Sequence, residues 1–230
     1  MAQGAAGIVP MSIAPVSIAP VLVRFLSAVA MCLSLAQVCE AQNPPGGGRG
    51  RGGRGGGRGR GIQVMTLTSS AFDDGAAIPI KYTQPGGDVS PPLTWSGAPD
   101  SSASFVLIVH DVDAATEGRG GAGFDDLLQW MVWNIPGSAK SLPQSVAQGP
   151  QLPDGSRQIS VTGPYYRGPA APATGPVHHY LFELYALDVL IDVPAVGAAP
   201  AATRAAVIAA MLGHVRGKAV LVGTFRRAAP

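Results

Sequence analysis

From residue 62 onward, apolar positions come in short runs cut by Pro and Gly: "IPIKYT", "PLTW", "SFVLIVHD", "QWMVWNI", "RQISVT", "HYLFELYALD" and "KAVLVGTF". Runs of this length, bounded by turn formers and rich in Val, Ile and aromatic residues, predict β-strands. "SFVLIVH" and "HYLFELYAL" are apolar at consecutive rather than alternate positions, which predicts strands covered on both faces at the centre of a packed sheet. Glu183 interrupts the second run and, if buried, requires a partner. One segment has helical spacing instead, "AATRAAVIAAMLGHV". There Val207, Met211 and Val215 recur every four residues, with Pro200 suited to the start and Gly217 to the stop. Strands that do not alternate with helices argue against a doubly wound α/β arrangement; a mainly β sandwich fits better.

The N-terminal residues follow other rules. "VLVRFLSAVAMCLSLAQVCEAQ" sets Arg24 before an apolar run and small residues ending at Ala41, the pattern of a secretory signal cleaved after that residue. The run is too short and interrupted to span a bilayer comfortably. Lipoprotein processing at Cys39 would need a small residue just before the cysteine, where Val38 stands. "GGGRGRGGRGGGRGRG" follows, too rich in glycine to fold. The expected organisation is a signal peptide over 1–41, a disordered Gly/Arg-rich linker over 42–61 and one domain over 62–230, in a periplasmic or secreted protein.

That division changes the reading of charge. The whole 230-residue chain has a formal net charge of +2, yet from Ile62 on, ten Lys and Arg face thirteen Asp and Glu, a net of −3. The domain therefore has no electrostatic footprint for nucleic acid. The Arg/Gly repeat lacks interleaved aromatics and reads as a solvated linker with, at most, weak attraction to anionic surfaces. Both cysteines, Cys32 and Cys39, precede the domain. The domain thus has no disulfide, thiolate nucleophile or cysteine metal site.

Two places carry candidate chemistry. "SFVLIVHD" ends in His110-Asp111-Val112-Asp113, and carboxylates two residues apart share a face if the strand continues. The second is "GPAAPATGPVHHY", where a Pro/Gly loop runs into His178 and His179. Prolines stiffen such a loop in advance, glycine lets backbone N–H groups approach a ligand, and an imidazole can donate from one nitrogen while a carboxylate fixes the other.

In order and content the segments resemble the phosphatidylethanolamine-binding protein family, in its bacterial Raf-kinase-inhibitor-like branch. The similarity runs from "FDDGAAIPIKYTQPGGDVSPPLTWSGAP" through "VHDVDA", "QWMVWNIP" and "YYRGPAAPATGPVHHYLFELYALD" to "AMLGHVRGKAVLVGTFRR", about residues 66 to 227. The resemblance implies a two-sheet antiparallel β-sandwich with a C-terminal helix and few short helices. It also implies a small pocket for phosphate-like anions or phosphorylated headgroups. Carried over by motif position, the pocket residues are Asp111, Asp113, His178 and Tyr180, with Gly168, Pro169 and Pro172 shaping the loop and Trp130 and Gln129 beside it. The implied roles are anion donation by His178, orientation of His178 or ammonium capture by Asp111, a hydroxyl or wall from Tyr180, and donors from the loop's backbone. The family's pattern is altered at Val112, where it has proline, at Gln129, where it has histidine, at His179, where it has arginine, and at Ala171, where it has proline. An insert, "AATEGRGGAGFDDLL", precedes Gln129.

The expected function is a non-enzymatic binding protein for a small phosphorylated or anionic ligand, with no cofactor. A regulatory or inhibitory role toward a protease or kinase-like protein partner belongs to the same resemblance. A hydrolase would need an activated nucleophile, yet no Gly-x-Ser-x-Gly elbow occurs and Ser90 sits before Pro91 in a turn. A metal site from His110, Asp111, Asp113 and His178 has the right ligand types, but alternation turns His110 and Asp111 to opposite faces.

Overall fold

A computed structural model describes residues 61–114 and 126–229. The leader, the linker through residue 60 and most of the insert lie outside the described residues. The strands are β1 Gln63–Val64, β2 Thr66–Thr68, β3 Leu93–Ser96, β4 Ser104–Asp111, β5 Leu127–Pro136, β6 Ser141–Leu142, β7 Arg157–Ile159, β8 His178–Leu187 and β9 Val215–Phe225, with helix α1 over Pro200–Met211. They form a six-stranded sheet in the order β1-β9-β8-β4-β5-β7 and a three-stranded sheet β2-β3-β6. All pairings are antiparallel except β1 with β9.

β4 explains the architecture. All eight of its residues are buried, and alternation sends them to two cores. Phe105, Leu107 and Val109 join the cluster between the sheets, with Trp95, Trp130, Tyr180 and Phe182. Val106 and Ile108 join a second cluster on the opposite face with Met131, Trp133, Val207 and Met211. The six-stranded sheet is thus covered by the small sheet on one side and by α1 on the other. β8 lies between β9 and β4 as its apolar run predicts, but its two faces differ: Tyr180, Phe182, Leu184 and Ala186 on the inner face are fully buried, whereas on the other face Leu181, Glu183 and Tyr185 are half-buried and only Leu187 is fully covered.

Three predicted elements differ. "IPIKYT" is a 3-10 turn at Ile80–Tyr82 rather than a strand, followed by a second at Gln84–Gly86. Pro79 and Pro85 fix φ in the helical range at the entry to each turn, and Gly87 closes the pair at φ 95°. "RQISVT" leaves the sheet after Ile159, because Ser160 turns back to the Gly163 carbonyl through both its N–H and its hydroxyl, a local bond that competes with the ladder. The helix stops at Met211 rather than running to Val215: Gly213 takes φ 80° and Val215 opens β9. Among the described residues no helix is long and apolar enough to cross a membrane.

Candidate functional site

The ends of β4 and β8 meet at one rim of the sheet, where Asp111 stands opposite Tyr180. His178 and Tyr180, two apart on one face, both turn inward, and their rings stack at 6.4 Å. The buried His178 Nδ1 donates to the buried Asp111 carboxylate at 2.9 and 3.0 Å. This fixes the ring's orientation and holds a proton on Nδ1. Asp111 also accepts the N–H groups of Asp113 and Ala114 at 3.1 Å each. β4 therefore ends in a turn around its own last carboxylate. Asp111 thus orients His178 with oxygens that already accept from three donors.

The turn also separates the two acids. Asp113 does not share Asp111's face. It lies at the rim and accepts the His179 N–H at 2.6 Å and the His179 ring at 2.8 Å. Burial alone would raise its pKa, but the two His179 hydrogen bonds outweigh that and hold it below the ordinary carboxylate value. The doubled histidines thus make doubled pairs: Asp111–His178 inside and Asp113–His179 outside.

Beside the inner pair is a cavity of about 190 Å³ lined by Asp111, Gln129, Arg167, Ala170, Ala171 and His178, with Ala114, Leu127 and Val161 at its edge. Gln129 enters through a β-bulge. The register of β5 on β4 passes from Val109 opposite Trp130 to His110 opposite Leu128, leaving Gln129 as the extra residue. A bulge re-aims a side chain and frees its backbone. Accordingly the Gln129 carbonyl accepts the Arg167 N–H at 3.1 Å. Its amide nitrogen, turned toward the loop, donates to the carbonyls of Arg167 at 3.0 Å and Gly168 at 3.3 Å. Only in this orientation can the amide donate to both carbonyls.

The loop over 163–177 is preformed. Gly168 passes so close to Thr83 that a Cβ would sit 2.7 Å from a backbone carbon, and its N–H is held at 2.8 Å by Asp88, itself at φ 57°. Pro169 is buried and accepts Gln84 N–H at 3.0 Å; half-buried Pro172 sits outside the cavity and accepts Gly175 N–H at 3.4 Å. Tyr180 is part of this scaffold. Its hydroxyl accepts both the Ala170 and Ala171 N–H groups at 3.2 Å. Burial first, then the Asp111 charge, holds its pKa well above the ordinary phenol value. The Ala170 and Ala171 amides, two of the loop donors expected to meet an anion, are therefore taken up by Tyr180. Trp130 is also structural. It is fully buried, donates to Gln158 at 2.9 Å and packs edge-on against Tyr166.

Arg167, absent from the sequence-based set, supplies the cavity's cation. It lines the wall, and its Nε is buried with no hydrogen-bond partner among the described residues. The sequence held one signal, an arginine inside the "YYRGPAAP" loop motif, but the motif fixes Gly and Pro and leaves that position open.

His110 points the other way, as alternation requires. Its Nδ1 bonds Asp126, and its Nε2 lies 3.3 Å from Glu183. The second contact is electrostatic rather than a well-aligned hydrogen bond. Arg204 grips Asp126 at 2.5 and 2.9 Å, and Lys218 grips Glu183 at 2.7 Å. Glu183 thus has the partners its burial demands. Among the described residues no three His, Cys, Asp or Glu side chains converge as metal ligands. Ser90 is buried and its hydroxyl accepts Val146 N–H at 2.9 Å, away from the cavity. A larger cavity of about 470 Å³ lies between α1 and β8–β9. The charged groups at its wall, Glu183, Arg204 and Arg216, are already ion-paired, so it offers apolar volume without a free polar group for recognition.

A family model described as phosphatidylethanolamine-binding protein matches residues 68–226. A UPF0098 protein of Methanothermobacter thermautotrophicus is 39% identical over 71% of this chain and 99% of its own length. LppC of Mycobacterium tuberculosis, whose name marks it as a candidate lipoprotein, is 38% identical over 70% of this chain and 72% of its own. Among solved structures, CT736 from Chlamydia trachomatis, described as a phosphatidylethanolamine-binding protein homolog, is 31% identical with a TM-score of 0.57, covering 71% of this chain and 98% of that one. YbcL of E. coli, described as a member of the mammalian family, has a TM-score of 0.59 at 24% identity, over 71% of this chain and 98% of its own, and supports the fold alone.

Proposed function

This chain belongs to the phosphatidylethanolamine-binding protein family, and from that premise we propose a non-enzymatic binding protein whose inner cavity takes a small phosphorylated ligand. The observation that carries the reading is Arg167. Its buried Nε lines the same small cavity as His178, and a guanidinium is the side chain best matched to phosphate oxygens. With Nδ1 committed to Asp111, the His178 Nε2 becomes a second donor to the ligand when the ring is protonated. The Gln129 replacement keeps a polar amide, but it is spent on the loop, so Arg167 takes over the charge that a histidine there would have brought. The volume of about 190 Å³ suits a phosphate or phosphoethanolamine group and little more. Binding rather than turnover is favoured because the cavity wall, among the described residues, presents no hydroxyl or thiol for nucleophilic attack.

Titration with inorganic phosphate and phosphoethanolamine, followed by calorimetry and by NMR of His178 and Arg167, tests this. Binding should saturate, and Arg167→Met should weaken it about tenfold to a hundredfold, the value of a charge-assisted hydrogen bond. His178→Ala should abolish the shifts near Asp111. Saturating ligand with no change at either residue would overturn the reading.

An exported, envelope-associated location fits the leader and the named candidate lipoprotein among the relatives. The expectation is cleavage after Ala41, leaving the tether over 42–61 and the domain from 62. N-terminal sequencing of protein from the natural host should find Gln42 first; an intact Met1, or lipid on Cys39, would redirect the reading to cytoplasmic or membrane-anchored protein respectively.

A further inference from the structure

The cavity's wall is not wholly polar. Leu127 and Val161 line it, and both also line a groove of about 430 Å³ between the start of β5 and helix α1. The groove's remaining walls are Leu128, Pro200, Ala201, Ala205, Ile208 and the Asp126–Arg204 pair. α1 is consequently apolar on two faces. Thr203, Val207 and Met211 are buried against the sheet. Ala201, Ala205 and Ile208, at one-turn and near-one-turn spacing, line the groove and are exposed, Ile208 at 40%. Val161, at the junction, is 38% exposed. The one acid in the wall does not oppose an anion. Asp126 is neutralised by Arg204 and by His110, which its two carboxylate neighbours keep protonated to about pH 9.

A polar cavity with a cation, sharing Leu127 and Val161 with a mainly apolar groove whose charged pair is neutralised within itself, has the chemistry of a single amphiphile. We propose that the ligand is a single-chain phosphate monoester: its phosphorylated head enters beside Arg167 and His178, and its alkyl chain lies over Leu127 and Val161 against Ala201, Ala205 and Ile208. This rests on the cavity being a phosphate site. At about 30 Å³ per methylene, close to the volume of one water, a groove of about 430 Å³ has room for one chain of up to about fourteen carbons.

Calorimetry of the domain with inorganic phosphate and with ethyl, butyl, hexyl and octyl phosphate, all below their micelle concentrations, tests the proposal. Each methylene that leaves water should raise affinity by up to about fourfold, so affinity should climb steeply along the series. Ile208→Glu and Ala205→Asp, both at exposed helix positions, should flatten that climb while leaving inorganic phosphate affinity and the circular dichroism spectrum unchanged. Phosphate binding with no chain-length dependence would overturn the groove and leave the head site standing. A climb that survives in both folded variants would place the chain elsewhere and also overturn it. No binding of inorganic phosphate or any ester would remove both the head site and the groove.

Discussion

At the level of single residues, chemistry in this protein is divided by which way a side chain leaves the strand. His178 and His179 are neighbours in sequence, yet one is buried on Asp111 and the other is exposed on Asp113. Asp111→Asn should keep the chain folded, since an amide oxygen still accepts the two turn N–H groups. It should misorient His178 and weaken phosphate binding roughly tenfold, measurable by the same titration. Gly168→Ala tests the loop. Its added methyl would strike the Thr83 backbone at 2.7 Å, and overpacking of that kind costs about 1–3 kcal/mol. A melting temperature lower by roughly 2–4 °C per kcal/mol is the expected result; an unchanged one would mean that the loop shifts freely. The pocket set read by motif position was legible at His178, Asp111 and Gln129, which line the cavity together. Motif position also named Asp113, which stands at the rim on His179 because the strand ends at Asp111 in an aspartate-capped turn that no alternation pattern encodes. It missed Arg167 because the loop's Gly and Pro set its path, whereas burial alone singles out the arginine.

At the level of elements, apolar runs specified where strands lie and prolines specified where that reading breaks. β4 and β5 were legible because consecutive apolar residues need two cores, and both exist. β1, β2 and β6, each of two or three residues, are too short to show a period; tertiary pairing alone makes them strands. The bulge at Gln129 is likewise a property of β5 on β4 rather than of either sequence. Across this sheet, one charged chain links α1 to β9: Arg204, Asp126, His110, Glu183 and Lys218. His110→Gln should leave each carboxylate its cation, so the variant should fold and report on the imidazolium alone.

For the whole molecule, that imidazolium sets a pH dependence. Burial alone would lower the His110 pKa, but the hydrogen bond to Asp126, the 3.3 Å contact with Glu183 and the charges of both push it up to about 9 from 6.5. The folded chain binds this proton more tightly than the unfolded chain. Its stabilisation, on the order of 2 kcal/mol, is therefore complete below about pH 6.5 and is lost as pH rises through 9. Glu183 behaves oppositely. The close His110 contact first, against burial, and then Lys218 hold it at about 2, down from 4.5, so its contribution is in place above pH 4.5 and is lost as pH falls toward 2. Thermal melts should place maximal stability between these limits, and the gap between wild type and His110→Gln should close between pH 6.5 and 9.5. A gap constant with pH would show that His110 is neutral when folded.

β4, walled on both faces and paired on both edges, has a further consequence in time. Amide protons open to solvent only as far as their surroundings unfold, and those of Val106 to Val109 have no route short of losing both cores. In deuterated water they should exchange last, at the rate of global unfolding, while the amides of residues 163–177, bonded mostly to side chains and turns, exchange sooner through local opening. A ligand that slowed exchange in the loop alone would be stabilising the loop's closed form, whereas one that slowed β4 as well would be stabilising the entire fold.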